Sequence, residues 1–427
     1  MRKLVKGIST ILLSMALVGC NASSIDNENV VNISILNSKP ELQAIFEEAI
    51  NKFEEAHPDI NIKIIKYNQS QPYQDKLVSM QEYGNTPTMI LMDPTHMNYV
   101  EEDNVSLNEE KWMEHVAVDL SDIARNDEGE LIAFPFALEG IGLIYNEEVL
   151  NEAGVDPSQI NTLSSLEEAF KKIEAIGKGA IIIANEDWSL ANHLLPIAYS
   201  VQGNAGDGNL SFIEALKNGT ADIKNNVAIN GLLDTFDVMK AYNYYKDAPL
   251  THVNAKCAEL IGKGDVGFYY MGNWASSYIS AYSQTDSKYG FVPVPISNQA
   301  TDYGNQQITA VIKYLVVEGT NSSQEQQEAA KKFIDWLVFE QDGQDFMVNK
   351  AKVIPGVDNN QMPVTDDLMN SIIEYQKEGK IIELNNADLP DKNAEVIGGY
   401  LRKYLNNEIH RLELLESIEK YWKDAFA

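Results

Sequence analysis

Two tryptophans stand where their chemistry can be used. Trp274 ends the run Gly264-Asp265-Val266-Gly267-Phe268-Tyr269-Tyr270-Met271-Gly272-Asn273-Trp274, and Trp188 closes Asn185-Glu186-Asp187-Trp188 after an apolar run. A flat indole offers a platform to the apolar C–H face of a sugar ring, while carboxylates and amides take up the hydroxyls at its rim. Asp93, Asp187 and Asn273 are candidates for that rim. Each has a plainer alternative: Asp93 beside Pro94 forms a turn, Asp187 caps a helix, and Asn273 holds a turn. Trp336 shares a helical apolar face with Phe333 and Leu337, which marks it as core.

Other chemistries find little support. The six histidines, His57, His96, His115, His193, His252 and His410, are scattered, without the paired spacing of a zinc site, so no metal and no cofactor is expected. Gly262-Lys263-Gly264-Asp265-Val266-Gly267 matches GxGxxG in letters only. A helical stretch precedes it and a strand follows, the reverse of a dinucleotide fingerprint. No Gly-x-Ser-x-Gly elbow occurs. With 63 carboxylates, an Asp/Glu pair at glycosidase spacing stays open, and a secreted glycosidase is the enzymatic alternative. The net charge of −30 argues against a nucleic-acid partner and tilts the ligand toward neutral molecules.

The elements that must position these residues are legible in outline. Val31 to Leu36 alternates as a strand, and Ser38-Lys39-Pro40-Glu41 has the spacing of a capping box opening a helix with Leu42, Ile45, Phe46, Ala49, Ile50 and Phe53 on one face. Ile60 to Ile65 resumes as a strand after His57-Pro58-Asp59, giving a parallel βαβ unit. A helix around Tyr73 to Tyr83 leads to the buried strand Met89 to Met92. The grammar repeats further on: Ser164-Ser165-Leu166-Glu167 caps a helix, Ala180 to Ala184 is an apolar strand, Ser322-Ser323-Gln324-Glu325 opens an amphipathic helix, and Leu401 to Trp422 is helical. Four hundred residues of this kind exceed one core and form two α/β lobes.

The N-terminus has its own logic. Arg2, Lys3 and Lys6 precede an apolar run from Ile8 to Val18, too short to cross a bilayer needing roughly 20 residues and suited to a leader's apolar core. Leu17-Val18-Gly19-Cys20 resembles the processing site of bacterial lipoproteins. Residues 1–19 therefore read as a signal peptide, Cys20 as the lipidated residue and 20–29 as a polar tether, placing the protein on the outer face of the cell membrane. With Cys20 so used, no internal disulfide remains, and Cys257 is expected to be a small buried hydrophobe.

Three stretches together resemble the extracellular solute-binding proteins of sugar ABC importers, the family with the raffinose- and maltose-binding proteins. They are Phe134-Pro135-Phe136-Ala137-Leu138-Glu139-Gly140-Ile141-Gly142-Leu143-Ile144-Tyr145-Asn146, the strand ending Met271-Gly272-Asn273-Trp274, and Ala329 to Leu337 followed by Val353-Ile354-Pro355-Gly356. The resemblance implies a two-lobed periplasmic-binding-protein-like α/β fold with several chain crossings, near Glu139 to Tyr145, Gln306 to Ala310 and Phe339 to Val348. One lobe would comprise 30–138 with about 310–340, the other 139–305 with about 349–427. It implies that Glu139 offers a carboxylate to the sugar, that Trp274 is delivered to the cleft, and that no catalysis occurs. The partners it implies are a neutral mono- or oligosaccharide, a membrane permease and, through it, a cytoplasmic ATPase, the binding protein acting as a monomer. A peptide-binding importer lipoprotein is the non-enzymatic alternative. Two positions depart from the family pattern: Pro87 is followed by Thr88 rather than Asp, and no aromatic residue stands in Ala394-Glu395-Val396-Ile397.

Overall fold

The computed structural model describes residues 30–427 apart from 68–70, 101–103, 119–121, 204–206 and 285. The leader, Cys20 and the tether lie outside the described residues.

The first unit follows the expected pattern. Strand β1 (Val31–Asn37) and β2 (Ile60–Lys66) pair in parallel from Val31 opposite Ile60, joined by the helix Gln43–Ala56, which buries Phe46, Ala49, Ile50 and Phe53. The helix entry differs from expectation. Pro40–Leu42 forms a tight 3-10 turn and the α-helix begins only at Gln43, so Ser38 does not cap it and its hydroxyl is buried without a partner among the described residues. Strand β3 (Met89–Met92), buried at every position, pairs in parallel with β1.

Two long strands carry the chain onward. β4 (Ala133–Asn146) has fourteen residues, about 45 Å of extended chain. Its first half pairs antiparallel with β8 (Ile308–Val317), and its second half with β6 (Val266–Gly272) and β7 (Tyr289–Val292). β8 in turn meets β3 at its end and β9 (Ile381–Glu383) at its start, while β5 (Gly179–Ile182) runs parallel to β6 on the far edge. The strand order is therefore β2-β1-β3-β8-β4-β6-β5, with β7 on β4 and β9 on β8. The register of β4 shifts between Pro135 and Ala137, which suits a proline that cannot donate to the ladder. Gly356 lies against this irregularity, where a Cβ would come 2.4 Å from the Pro135 carbonyl oxygen.

Buried side chains gather into two cores. In one, Phe53 meets Phe333 edge-on at 5.2 Å and Trp336 at 5.8 Å, so Trp336 is core as its helical spacing indicated. The other centres on Phe170, Phe268, Tyr199 and Trp422. Residues 339–348, expected as a crossing, are largely helical, and Phe346 packs at 4.9 Å on Phe46 in the first core. The helix Leu163–Ala175 is capped by Thr162, in a reciprocal box with Ser165, rather than from Ser164 onward. Ser323 caps Gln324–Phe339 in a reciprocal box with Gln326, one residue later than Ser322-Ser323-Gln324-Glu325 indicated. Cys257 is buried and has no disulfide partner among the described residues, and burial pushes its thiol well above the usual range. No helix among the described residues is long and apolar enough to cross a membrane.

Candidate functional site

A cavity of about 610 Å³ opens at the carboxyl ends of the parallel strands β1, β3, β5 and β6, where open α/β sheets expose their ligand loops. β1 delivers Ser38 and Lys39, β3 delivers Asp93 and His96, and β5 delivers Glu186, Asp187, Trp188 and His193. β6 delivers Trp274, and the two long strands add Glu139 and Lys313 from below.

The spacing around Trp274 has a steric cause. Its indole folds back over Gly272, where a Cβ would come within 2.0 Å of the ring, so only glycine lets the chain turn out of β6 and keep the ring in the cleft. Trp188 packs beside it on the cavity wall with ring centroids 6.3 Å apart and planes at 53°. His193 closes the group at 5.3 Å from Trp188 and 5.4 Å from Trp274. His193 and Trp188 share one element because the chain after β5 forms a wide π-helical stretch, Ser189–Leu194, of the sort common at functional sites.

The polar groups are arranged as two ion pairs. Lys39, only 4% exposed, binds Glu139, and Glu41 lies 3.0 Å away. Burial disfavours the Lys39 charge, but Glu139 and Glu41 outweigh it and hold the ammonium well above the ordinary lysine range. Lys313 pairs with Asp93. Burial works against the Asp93 charge too, yet Lys313 and His96 pull its carboxyl down to about 2. Burial depresses both imidazoles, His96 and His193, to about 4, so both rings are neutral at pH 7. The two buried cations of the cavity, Lys39 and Lys313, are thus already neutralised by carboxylates, while the exposed Lys392 lies on its lining as well.

Of the residues singled out from the sequence, Trp274, Trp188, Glu139, Asp93 and Asp187 line the cavity together. Asp187 sits 3.5 Å from Arg402, and burial raises its pKa. Asn273 is not brought there. It is buried behind Trp274, its amide oxygen accepting the Gly140 N–H at 2.9 Å, so it fixes β4 against the exit of β6.

Lys39, Lys313, Glu186, His96 and His193 were missed. Lys313 had a signal, a charge inside the otherwise apolar or small run Ile308 to Val317. Glu186 accepts the Asn254 N–H at 2.5 Å and caps the helix Asn254–Gly262, while its other oxygen has no partner among the described residues.

Residues 48–367 match the model of the bacterial extracellular solute-binding protein family. An uncharacterized ABC transporter extracellular-binding protein of Pyrococcus horikoshii is 22% identical over 259 residues, 58% of this chain and 57% of that protein. The melibiose/raffinose/stachyose-binding protein MelE of Bacillus subtilis is 24% identical over 174 residues, 40% of each chain. The chain thus spans about half the length of these curated relatives. The binding protein RafE in complex with raffinose superposes with a TM-score of 0.77 at 15% identity, over 93% of this chain and 100% of that one, and so shares the fold. With the family model covering most of its length, the chain belongs to the bacterial extracellular solute-binding proteins.

Proposed function

We propose that this protein captures a neutral oligosaccharide in the cleft and delivers it to the membrane permease of an ABC importer, which a cytoplasmic ATPase drives. The observation that carries this reading is the pair of indoles, Trp188 and Trp274, facing one cavity with hydrogen-bonding groups around its rim. Stacking on sugar C–H faces and hydrogen bonding to hydroxyls need that combination. A neutral ligand suits a site whose buried lysines are already paired with Glu139 and Asp93. RafE holds raffinose and MelE is named for melibiose, raffinose and stachyose, which makes those sugars the first probes.

Capture works through closure. A lobe of 30–138 with about 310–340 and a lobe of 139–305 with about 349–427 would move about β4 and β8, and the ligand needs only higher affinity for the closed form. Asp187 would bind the sugar rim beside Trp188. Cys20, carrying lipid, would hold the monomer on the outer face of the membrane. The test is thermal unfolding against melibiose, raffinose, stachyose, uronates and peptides, since ligand at 100 times its Kd adds roughly 2.7 kcal/mol of stability. A rise in Tm with one saccharide group supports the reading. A rise with peptides alone replaces it by a peptide importer, and consumption of the sugar during incubation replaces it by a glycosidase.

A further inference from the structure

Two histidines reach the cleft from separate parts of the fold. His96 lies on the 3-10 turn Pro94–Tyr99 that follows β3, and His193 on the stretch Ser189–Leu194 that follows β5. Both sense the same ion pair, Asp93 with Lys313. His96 packs its ring 4.9 Å from Tyr73, and His193 lies edge-on to both indoles. His193 is 9% exposed. In each ring Nδ1 is buried and has no partner among the described residues. Both rings line the cavity, and with Nδ1 closed off in each, the nitrogen that a ligand in the cavity can meet is Nε2.

We propose that His96 and His193 are ligand-binding residues, each holding a hydroxyl of the saccharide that lies over Trp188 and Trp274. This rests on reading the cleft as a saccharide site. A neutral imidazole has one N–H donor and one acceptor nitrogen, so it can serve a hydroxyl in either direction, whereas an imidazolium can only donate. A hydroxyl meeting such a ring is recognised by direction as well as by position. Replacing that hydroxyl by hydrogen leaves the nitrogen open again. Burial keeps both rings in the neutral form at pH 7.

The test is nitrogen-15 NMR of the imidazoles in histidine-labelled protein, with His96→Gln and His193→Gln assigning the two signals, titrated with melibiose, raffinose, stachyose and a peptide mixture. A saccharide that raises Tm should move the His96 and His193 nitrogens and leave those of His57, His115, His252 and His410 in place. His193→Leu should then weaken that saccharide about tenfold or more. A saccharide that raises Tm with both rings unmoved overturns the histidine assignment and leaves the saccharide reading intact. A peptide moving both rings overturns the saccharide reading and keeps the histidines in the ligand site. No response to any probe overturns both.

Discussion

The ammonium of Lys39 and the carboxylate of Glu139 form a buried ion pair that ties the end of β1 to the middle of β4. Their side chains are 5% and 3% exposed, so neither charge can turn to water when the other is removed. Lys39→Met should therefore destabilise the protein by about 3–5 kcal/mol, because it strands the Glu139 charge. The double variant Lys39→Met/Glu139→Gln should recover much of that loss. Urea unfolding of the three variants measures it, and a double variant less stable than Lys39→Met would refute the stranded-charge account.

Trp274 gives the most direct test of the cleft. Trp274→Ala should weaken saccharide binding by on the order of 1–3 kcal/mol through lost stacking, while the fold survives because the ring is only partly buried, packing on the edge of both cores from the cavity wall. Calorimetry on a folded variant checks this. Unchanged affinity would remove the indole from the binding surface.

What could be read in advance followed the range of the interactions. The apolar strands were visible because burial on both faces leaves Met89 to Met92 and Ala180 to Ile183 with no polar residue. Trp188 and Trp274 were visible because a large aromatic directly after such a strand falls at its carboxyl end. Ser38 was misread since Ser-x-x-Glu fits a capping box, and nothing local revealed that Lys39 and Pro40 would open a 3-10 turn instead. His96 and His193 escaped notice for another reason. They stand far apart in sequence with no spacing rule between them, and only the strand order β3-β8-β4-β6-β5 brings their loops to one cavity.

Acid should destabilise the protein in two windows. The unfolded histidines titrate near 6.5 and the folded His96 and His193 near 4, so between these values the unfolded chain binds more protons. Their contribution is complete above pH 6.5 and is lost as pH falls toward 4, at most about 3 kcal/mol for each ring. Asp93, lowered from 3.8 to about 2, removes a further contribution as pH falls from 4 to 2. Unfolding midpoints of the wild type and of a His96→Gln/His193→Gln variant from pH 7 to 4 measure the first window. Parallel curves for the two proteins would rule out the histidines as its source.

The lipid anchor is tested by location. Cys20→Ala removes the thiol that would carry the acyl chains, so the protein should leave the membrane fraction for the medium or accumulate with its leader uncleaved. Fractionation and the mass of the N-terminal peptide distinguish these products from the wild type. Retention of a processed Cys20→Ala protein in the membrane would assign anchoring to another segment.

Gly398 links packing to the site. It lies on the helix Asn393–Leu405 directly against Asp187, where a Cβ would come 2.6 Å from the Asp187 Cβ and 2.7 and 2.8 Å from its Cα and backbone oxygen. Backbone atoms cannot swing aside as a long side chain does, so Gly398→Ala must push the helix away from the segment carrying Asp187 and Trp188. The expected cost is about 1–3 kcal/mol of stability together with weaker saccharide binding. The neighbouring Gly399 has nothing among the described residues within 4 Å of its own Cβ position. Gly399→Ala should therefore leave binding unchanged and stabilise the helix by up to about 1 kcal/mol through its higher propensity. Melting temperatures and Kd values for the two variants side by side separate a steric effect from a general loss of glycine. Equal behaviour of the pair would mean that the helix is free to shift and that the contact with Asp187 does not set the position of Trp188.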